Sequence, residues 1–99
     1  MKYEGLLPIG SVVRLKEMEH DVMVTGYAMR RQEENGSVLY DYSGCPHPQG
    51  VIGPDKTILF NQESIREIFA MGYLDGTTIL YLGRAEEELT RLRKGENNG

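Results

Sequence analysis

The chain has 99 residues, of which 39% are hydrophobic and 26% are charged, and its net charge is −4 at pH 7. This length and composition are typical of one globular domain and argue against general disorder. The acidic balance argues against a nucleic-acid partner, which requires clustered Lys and Arg on one face. The single cysteine excludes an internal disulfide. No apolar run approaches the roughly 20 residues of a membrane span or suits a signal peptide, so we expect a cytoplasmic protein without membrane insertion.

The first part of the chain predicts an antiparallel meander. Three segments alternate apolar and polar residues or are rich in strand formers, namely 11–16, 22–30 and 37–42. Asn35-Gly36 is a strong two-residue hairpin signal, because both residues tolerate a positive φ. Gly26, inside the second segment, indicates a bulge or a bend.

The segment 40–50 holds two tyrosines, two prolines, two glycines and the only cysteine. Prolines fix φ and lack an amide donor, whereas glycines allow a positive φ, so we predict a constrained turn leaving the third strand. Asp41 and Ser43 would bond the backbone amides of the turn. Gly44 and Gly50 would adopt conformations closed to other residues. We therefore expect a rigid platform.

The second half of the chain predicts one further strand and then helical segments. A short apolar strand is expected over 57–60. A mid-chain helix is expected over 62–71, with Asn61 as its N-cap and Gly72 just after its end.

Residues 77–82 are ambiguous between strand and helix. Their β-branched content favours a strand, although the apolar spacing that continues to Leu92 is helical. We prefer a strand through Leu82 and a C-terminal helix over 84–94, with a disordered tail over 95–99.

These elements predict an α+β fold with a single globular domain over residues 1–94. Its small, bent antiparallel sheet would have four or five strands, with a partly open SH3-like barrel as one alternative. The mid-chain helix and the C-terminal helix would pack against the sheet. Gly26 and Gly53 are the expected bend points.

The candidate site residues come from the 40–50 segment. Tyr40 and Tyr42 share a face of the third predicted strand, where two exposed rings could form a recognition surface. Covering the edge of the core is the commoner role of such rings. The complete set of partner-binding candidates is Tyr40, Tyr42, Pro46, His47 and Pro48.

Cys45 and His47 also invite a metal or nucleophile interpretation. One Cys and two His are too few for a four-ligand zinc site without carboxylates from loops. A Cys/His dyad across Pro46 would need an unusual turn, and no orienting third residue is evident. We therefore predict no catalytic residue, no metal and no cofactor, and interpret Cys45 as a small packing residue.

Three stretches in chain order carry a family resemblance. They are LLPIGSVVRLK at 6–16, YDYSGCPHPQG at 40–50, and Phe-Asn at 60–61 followed by Gly-Tyr at 72–73. With these the chain resembles a family of short Gram-positive bacterial proteins known as domain of unknown function 4176. Two positions depart from the family pattern: Tyr27 stands where Arg often follows the strand glycine, and His47 replaces the usual Tyr.

The resemblance implies an association with LXG-type toxins of the type VII secretion system. Family members look like cytoplasmic targeting or chaperone-like partners without enzymatic activity. The leading hypothesis is an adaptor that binds the helical N-terminal region of a toxin through the meander and the 40–50 segment. The alternatives are an immunity protein that binds the toxin's C-terminal domain, and a small enzyme using Cys45, Asp41 and His47. An exposed edge strand also leaves a homodimer open.

Overall fold

The structure is a computed structural model that describes residues 3–98. Within these residues, one antiparallel sheet contains five strands, and a single α-helix follows it. The strands are β1 (Val12–Leu15), β2 (Asp21–Glu33), β3 (Gly36–His47), β4 (Ile58–Phe60) and β5 (Ile65–Ala70). The helix α1 spans Gly76–Asn98. The predicted α+β class, with its antiparallel sheet and C-terminal helix, is confirmed.

The sheet is open and must be curled. Its strand order is β4-β3-β2-β1-β5, so the two edge strands are consecutive in the chain. A flat sheet of five strands would separate its edges by about 19 Å. The link from Phe60 to Ile65 reaches at most about 18 Å when fully extended, and a 3-10 turn at Gln62–Ser64 makes it shorter still. The Lys16 amide also donates to the Ser64 carbonyl at 2.9 Å, which holds the link against the end of β1.

One cluster of buried apolar residues joins the sheet to α1. Val13 and Val22 contribute from β1 and β2, and Tyr42 contributes from β3. Leu82 and Leu89 contribute from the helix. Burial of each such side chain stabilises the fold by about 1.5–3 kcal/mol. The helix is therefore an integral layer of this domain.

The predicted mid-chain helix is wrong. Of the segment 62–71, only the 3-10 turn Gln62–Ser64 is helical, and most of the remainder forms β5. The side chain of Asn61 makes no capping hydrogen bond to that turn. Its Oδ1 instead accepts from the backbone amide of Asp41 at 3.0 Å, which ties the turn to β3.

Bulges explain why β5 has a helix-like apolar spacing. Ile65 lies opposite Leu15 and Ile68 lies opposite Val13, and a register shift falls between the two pairs. Residues three apart point to opposite faces of a regular strand, but one extra residue in the bulge returns both to the same face. Both isoleucines therefore pack against the core. Pairing with β1 decides the structure, and the sequence spacing alone cannot reveal it.

Residues 77–82 are helical, so the preferred strand is also wrong there. Asp75 caps the helix, since its Oδ1 accepts from the Thr78 amide at 2.8 Å and from the Thr78 hydroxyl at 2.6 Å. The apolar spacing through Leu82 and Leu89 places both residues in the core. The helix continues to Asn98, across most of the segment 95–99 that the sequence predicts as a disordered tail. Gly99 lies outside the described residues.

The hairpin and the bulge in the meander are confirmed. The turn itself is Glu34-Asn35, one residue earlier than the predicted Asn35-Gly36, and Gly36, with φ 114°, is the first residue of β3. A register shift in the β2–β3 pairing falls between Val24 and Gly26. The predicted turn over 40–50 is wrong over most of its length, because β3 extends to His47.

The neighbouring strands explain how a proline fits into β3. Pro46 pairs with Val22 of β2, whereas β4 lies against β3 only from Tyr42 to Gly44. Pro46 therefore sits where β3 is an edge strand, and there a missing amide donor costs no ladder hydrogen bond. The turn follows the strand, and the Gly50 amide closes it by donating to the Pro46 carbonyl at 2.7 Å.

Candidate functional site

An uncharged groove of about 760 Å³ opens beside β2, between the loop before β1 and the start of α1. We call it the tyrosine groove, because three tyrosines form much of its wall. Its lining residues are Ile9, Thr25, Gly26, Tyr27, Tyr73, Thr77, Thr78 and Tyr81. Its size falls within the usual range for ligand-binding clefts.

Tyr27 forms a fixed part of the groove wall. Its ring centroid lies 5.9 Å from that of Tyr42 and 6.0 Å from that of Tyr81. Its hydroxyl donates to the Leu7 carbonyl at 2.6 Å. Burial raises the pKa of Tyr27 to about 12, so the phenol stays neutral at physiological pH. The groove therefore gains a rigid aromatic surface without a charge.

The backbone of Gly72 lies close against the backbone of Ile9, and this contact brings Tyr73 to the same groove as Ile9. A Cβ atom on Gly72 would lie 2.0 Å from the Ile9 carbonyl oxygen, so only glycine fits there. The Gly72 amide donates to the Ser11 hydroxyl oxygen at 3.0 Å. Gly72 is thus not the helix-terminating residue that the sequence predicts. It is the contact that lets the 71–75 linker lie against the loop before β1.

The outer rim of the groove is strongly exposed. Tyr73 is 78% exposed and Tyr81 is 57% exposed. Ile79 and Leu80, at 56% and 66%, are also exposed on the first turns of α1, although they do not line the groove. Exposed apolar surface that is concentrated in one place marks an interaction site in soluble proteins. The groove offers contact area and hydroxyl groups, which suits binding.

The structure separates the predicted partner-binding residues. Tyr42 is fully buried, so its ring presents nothing to a partner. Tyr40 is half-buried, and its hydroxyl donates to Glu33 Oε1 at 3.3 Å. Pro46 is half-buried, whereas His47 and Pro48 are exposed. Tyr40 therefore lies in the hairpin, whereas the exposed pair lies at and just beyond the far end of β3.

Cys45 is a packing residue in this fold. It is only 3% exposed, whereas His47 projects into solvent. Among the described residues, no group of three or more His, Cys, Asp or Glu side chains is arranged to hold a metal ion.

Sequence reasoning missed the tyrosine groove. Its walls come from four separate parts of the chain, represented by Ile9, Tyr27, Tyr73 and Tyr81. One signal was available: residues 73–81 contain more apolar and aromatic side chains than the inner stripe of one helix can hold. A helical interpretation of 77–82 would have left Leu80 and Tyr81 off that stripe.

The fold and the groove define a small α+β domain with an exposed, tyrosine-lined groove beside β2. A family model described as Domain of unknown function (DUF4176) matches residues 6–79. The chain therefore belongs to this family, as the resemblance indicates. The matched region includes Ile9, Tyr27 and Tyr73 and ends before Tyr81.

Two other comparisons gave no relative. Neither the curated proteins nor the solved structures contain a match to this chain. Within residues 3–98, the helical content includes no segment with both the length and the apolar character needed to cross a bilayer.

Proposed function

We propose that the protein is a non-enzymatic cytoplasmic adaptor that binds the helical N-terminal region of an LXG-type toxin exported by type VII secretion. The toxin class comes from the family resemblance. The observation that carries the binding role is the tyrosine groove. There Tyr73 and Tyr81 expose more than half of their surface even though the domain is folded. Tyrosine is enriched at protein interfaces because it combines apolar area with a polar tip.

The groove favours an amphipathic helix as its occupant. Such helices place apolar side chains at positions i, i+3 or i+4, and i+7 into a hydrophobic groove. The lining carries no charged residue, so the inserted face should be apolar. The protein's net charge of −4 favours basic residues on the flanks of that helix, where they remain in solvent.

Co-expression with the toxin encoded next to this protein tests the proposal. Three forms of the toxin should be used: the full-length chain, its N-terminal helical region, and its C-terminal domain. We expect the adaptor to co-elute in size-exclusion chromatography with the first two forms and to elute separately from the third. Its deletion should reduce toxin export.

The opposite pattern would contradict the adaptor role. Co-elution with the C-terminal domain, together with protection of cells from that domain, would identify an immunity protein. Separate elution from all three toxin forms at micromolar concentration would contradict both roles.

A further inference from the structure

The outer half of the β2–β3 hairpin forms a two-stranded arm. We define this arm as residues 28–38, all of which are exposed. β1 pairs with β2 only from Asp21 to Met23, and β4 pairs with β3 only from Tyr42 to Gly44. Within residues 3–98, therefore, no third strand pairs with the arm on either side. A two-stranded hairpin is marginally stable in water, and an unpaired strand edge is a template for another strand.

One face of the arm, together with Tyr40 just beyond it on β3, carries an ordered set of side chains. Met29 pairs with Tyr40 and Arg31 pairs with Val38, so these residues share a face with Glu33. The Arg31 guanidinium lies over the Tyr40 ring, 6.0 Å from its centroid. Glu33 accepts from the Tyr40 hydroxyl at 3.3 Å. The Tyr40 ring and hydroxyl thus hold Arg31 and Glu33, which carry opposite charges, in place beside the unpaired edge of β2.

The charge pattern at the end of β2 is complementary to that of a second copy of the same strand running antiparallel to it. Residues 30–34 read Arg-Arg-Gln-Glu-Glu, which is positive at one end and negative at the other around a neutral centre. Antiparallel pairing of two copies about Gln32 places Arg31 of each copy directly opposite Glu33 of the other. A register centred on Arg31 places two arginines opposite each other. Opposite charges in directly facing positions stabilise a strand pair, and like charges destabilise it.

We infer that the unpaired edge of β2 in the arm, which faces away from β3, pairs with the same edge of a second copy of this chain. The two hairpins then meet in a short antiparallel pairing of residues 31–33 of each β2, with its twofold axis at Gln32. Such an interface is isologous, so each ion pair occurs twice. The inference does not rest on toxin binding, because it uses the arm and not the tyrosine groove.

The size of the arm determines how strong the dimer is. Only the segment around Gln32 meets its copy, which places the interface in the class of transient contacts below about 1,200 Å². We therefore expect a reversible dimer whose population rises with concentration.

Sedimentation velocity on the full chain tests the inference. The wild type should shift from monomer to dimer over a range from about 10 µM to about 1 mM. Two charge reversals, Arg31→Glu and Glu33→Arg, should each raise the dissociation constant at least about tenfold, because each places like charges opposite each other at both ion pairs. An equimolar mixture of the two variants should regain association close to that of the wild type, since its facing charges are again opposite.

Glu19→Arg is the matched control. It makes the same change in net charge as Glu33→Arg, in the exposed loop before β2, and should leave the dissociation constant within about twofold. Circular dichroism checks that all variants fold. A wild type that stays monomeric throughout the range would overturn the inference. So would a dimer that survives both reversals, or a mixture that fails to recover.

Discussion

The backbone of Leu7 is held by the hydroxyl of Tyr42, 35 positions later in the chain. The Leu7 amide donates to Tyr42 Oη at 2.9 Å, and both residues are fully buried. The Tyr42 hydroxyl in turn donates to Gln62 Oε1. Tyr27 holds the other side of the same peptide backbone by donating to the Leu7 carbonyl at 2.6 Å. Two tyrosines of neighbouring strands thereby fix the backbone of Leu7. This positions Ile9, two residues later, in the wall of the tyrosine groove.

Removal of the Tyr42 hydroxyl should destabilise the fold without removing its ring. Tyr42→Phe leaves the buried Leu7 amide without its acceptor, so we expect a loss of about 1–3 kcal/mol in the free energy of unfolding. Tyr40→Phe is the control, because its hydroxyl bond to Glu33 lies in solvent, and it should cost less than about 0.5 kcal/mol. Urea denaturation measures both. Equal losses would contradict the role given to the buried hydroxyl.

Alkaline pH should weaken the fold through the same tyrosines. Burial raises the pKa of Tyr27 to about 12 and raises the pKa of Tyr42 well above its ordinary value. In the unfolded chain both phenols ionise near pH 10, so the folded state retains protons that the unfolded state has lost. Stability contributed by the neutral phenols is thus fully present below about pH 10 and is lost as pH rises towards 12.

A series of urea denaturations across this pH range checks the expectation. The free energy of unfolding should fall above about pH 10, and the fall should be less steep in Tyr42→Phe. A profile that stays flat to pH 12 in the wild type would show that the phenols ionise equally in both states.

Gly44 and His47 should differ sharply in their effects on stability. The left-handed backbone predicted from sequence occurs at Gly50, with φ 83°, and not at Gly44. Gly44 is instead limited by space, since a Cβ would lie 2.6 Å from Val22 Cγ1 and 2.9 Å from the Met23 carbonyl oxygen. Gly44→Ala should therefore cost about 1–3 kcal/mol through overpacking.

His47→Ala changes an exposed side chain and should cost less than about 0.5 kcal/mol. Thermal unfolding of the two variants measures the difference. A loss in His47→Ala as large as that in Gly44→Ala would contradict this division of roles.

Two other glycines should respond to alanine with opposite signs. Gly72→Ala forces a methyl group into the Ile9 carbonyl and should destabilise the protein by more than about 2 kcal/mol. Gly83 lies on the exposed side of α1, where an added Cβ meets nothing within 4 Å. Gly83→Ala should therefore stabilise the protein by about 0.4–1 kcal/mol, since alanine is the better helix former. Melting temperatures that shift in the same direction would contradict this assignment.

Local signals in the sequence were enough to predict the meander. Asn35-Gly36 marked the hairpin, Gly26 marked the bulge, and alternating residues marked the strands. These features depend on residues close together in the chain, so the sequence displays their cause directly.

Elements determined by distant contacts were not predictable in this way. The spacing of Ile65 and Ile68 suits a helix, and only pairing with β1 through a bulge makes the segment a strand. The β-branched residues near Thr78 suit a strand. The segment 77–82 is nevertheless helical, because Asp75 caps it and Leu82 is buried in the core. In both cases tertiary contacts outweigh local preference.

The candidate site was hidden for the same reason. The sequence drew attention to 40–50 because unusual residues are concentrated there, but most of that segment became a core strand. Tyr73 and Tyr81 meet Tyr27 only after α1 packs on the sheet. Composition identifies a constrained segment, whereas a groove requires the relative position of several elements.

The affinity of the toxin's N-terminal helical region for matched surface variants is the most direct test of the proposed function. Tyr73→Ala/Tyr81→Ala truncates the rim of the groove, where the rings are 78% and 57% exposed. Val51→Ala/Ile52→Ala truncates apolar side chains of nearly equal exposure, a few positions after His47 and Pro48 in the chain. Isothermal titration calorimetry should give at least about a tenfold loss of affinity for the tyrosine variant and less than about a twofold loss for the other. Unchanged affinity in the tyrosine variant, with loss in the Val51/Ile52 variant, would contradict the groove as the binding site and return the site to the 46–48 segment.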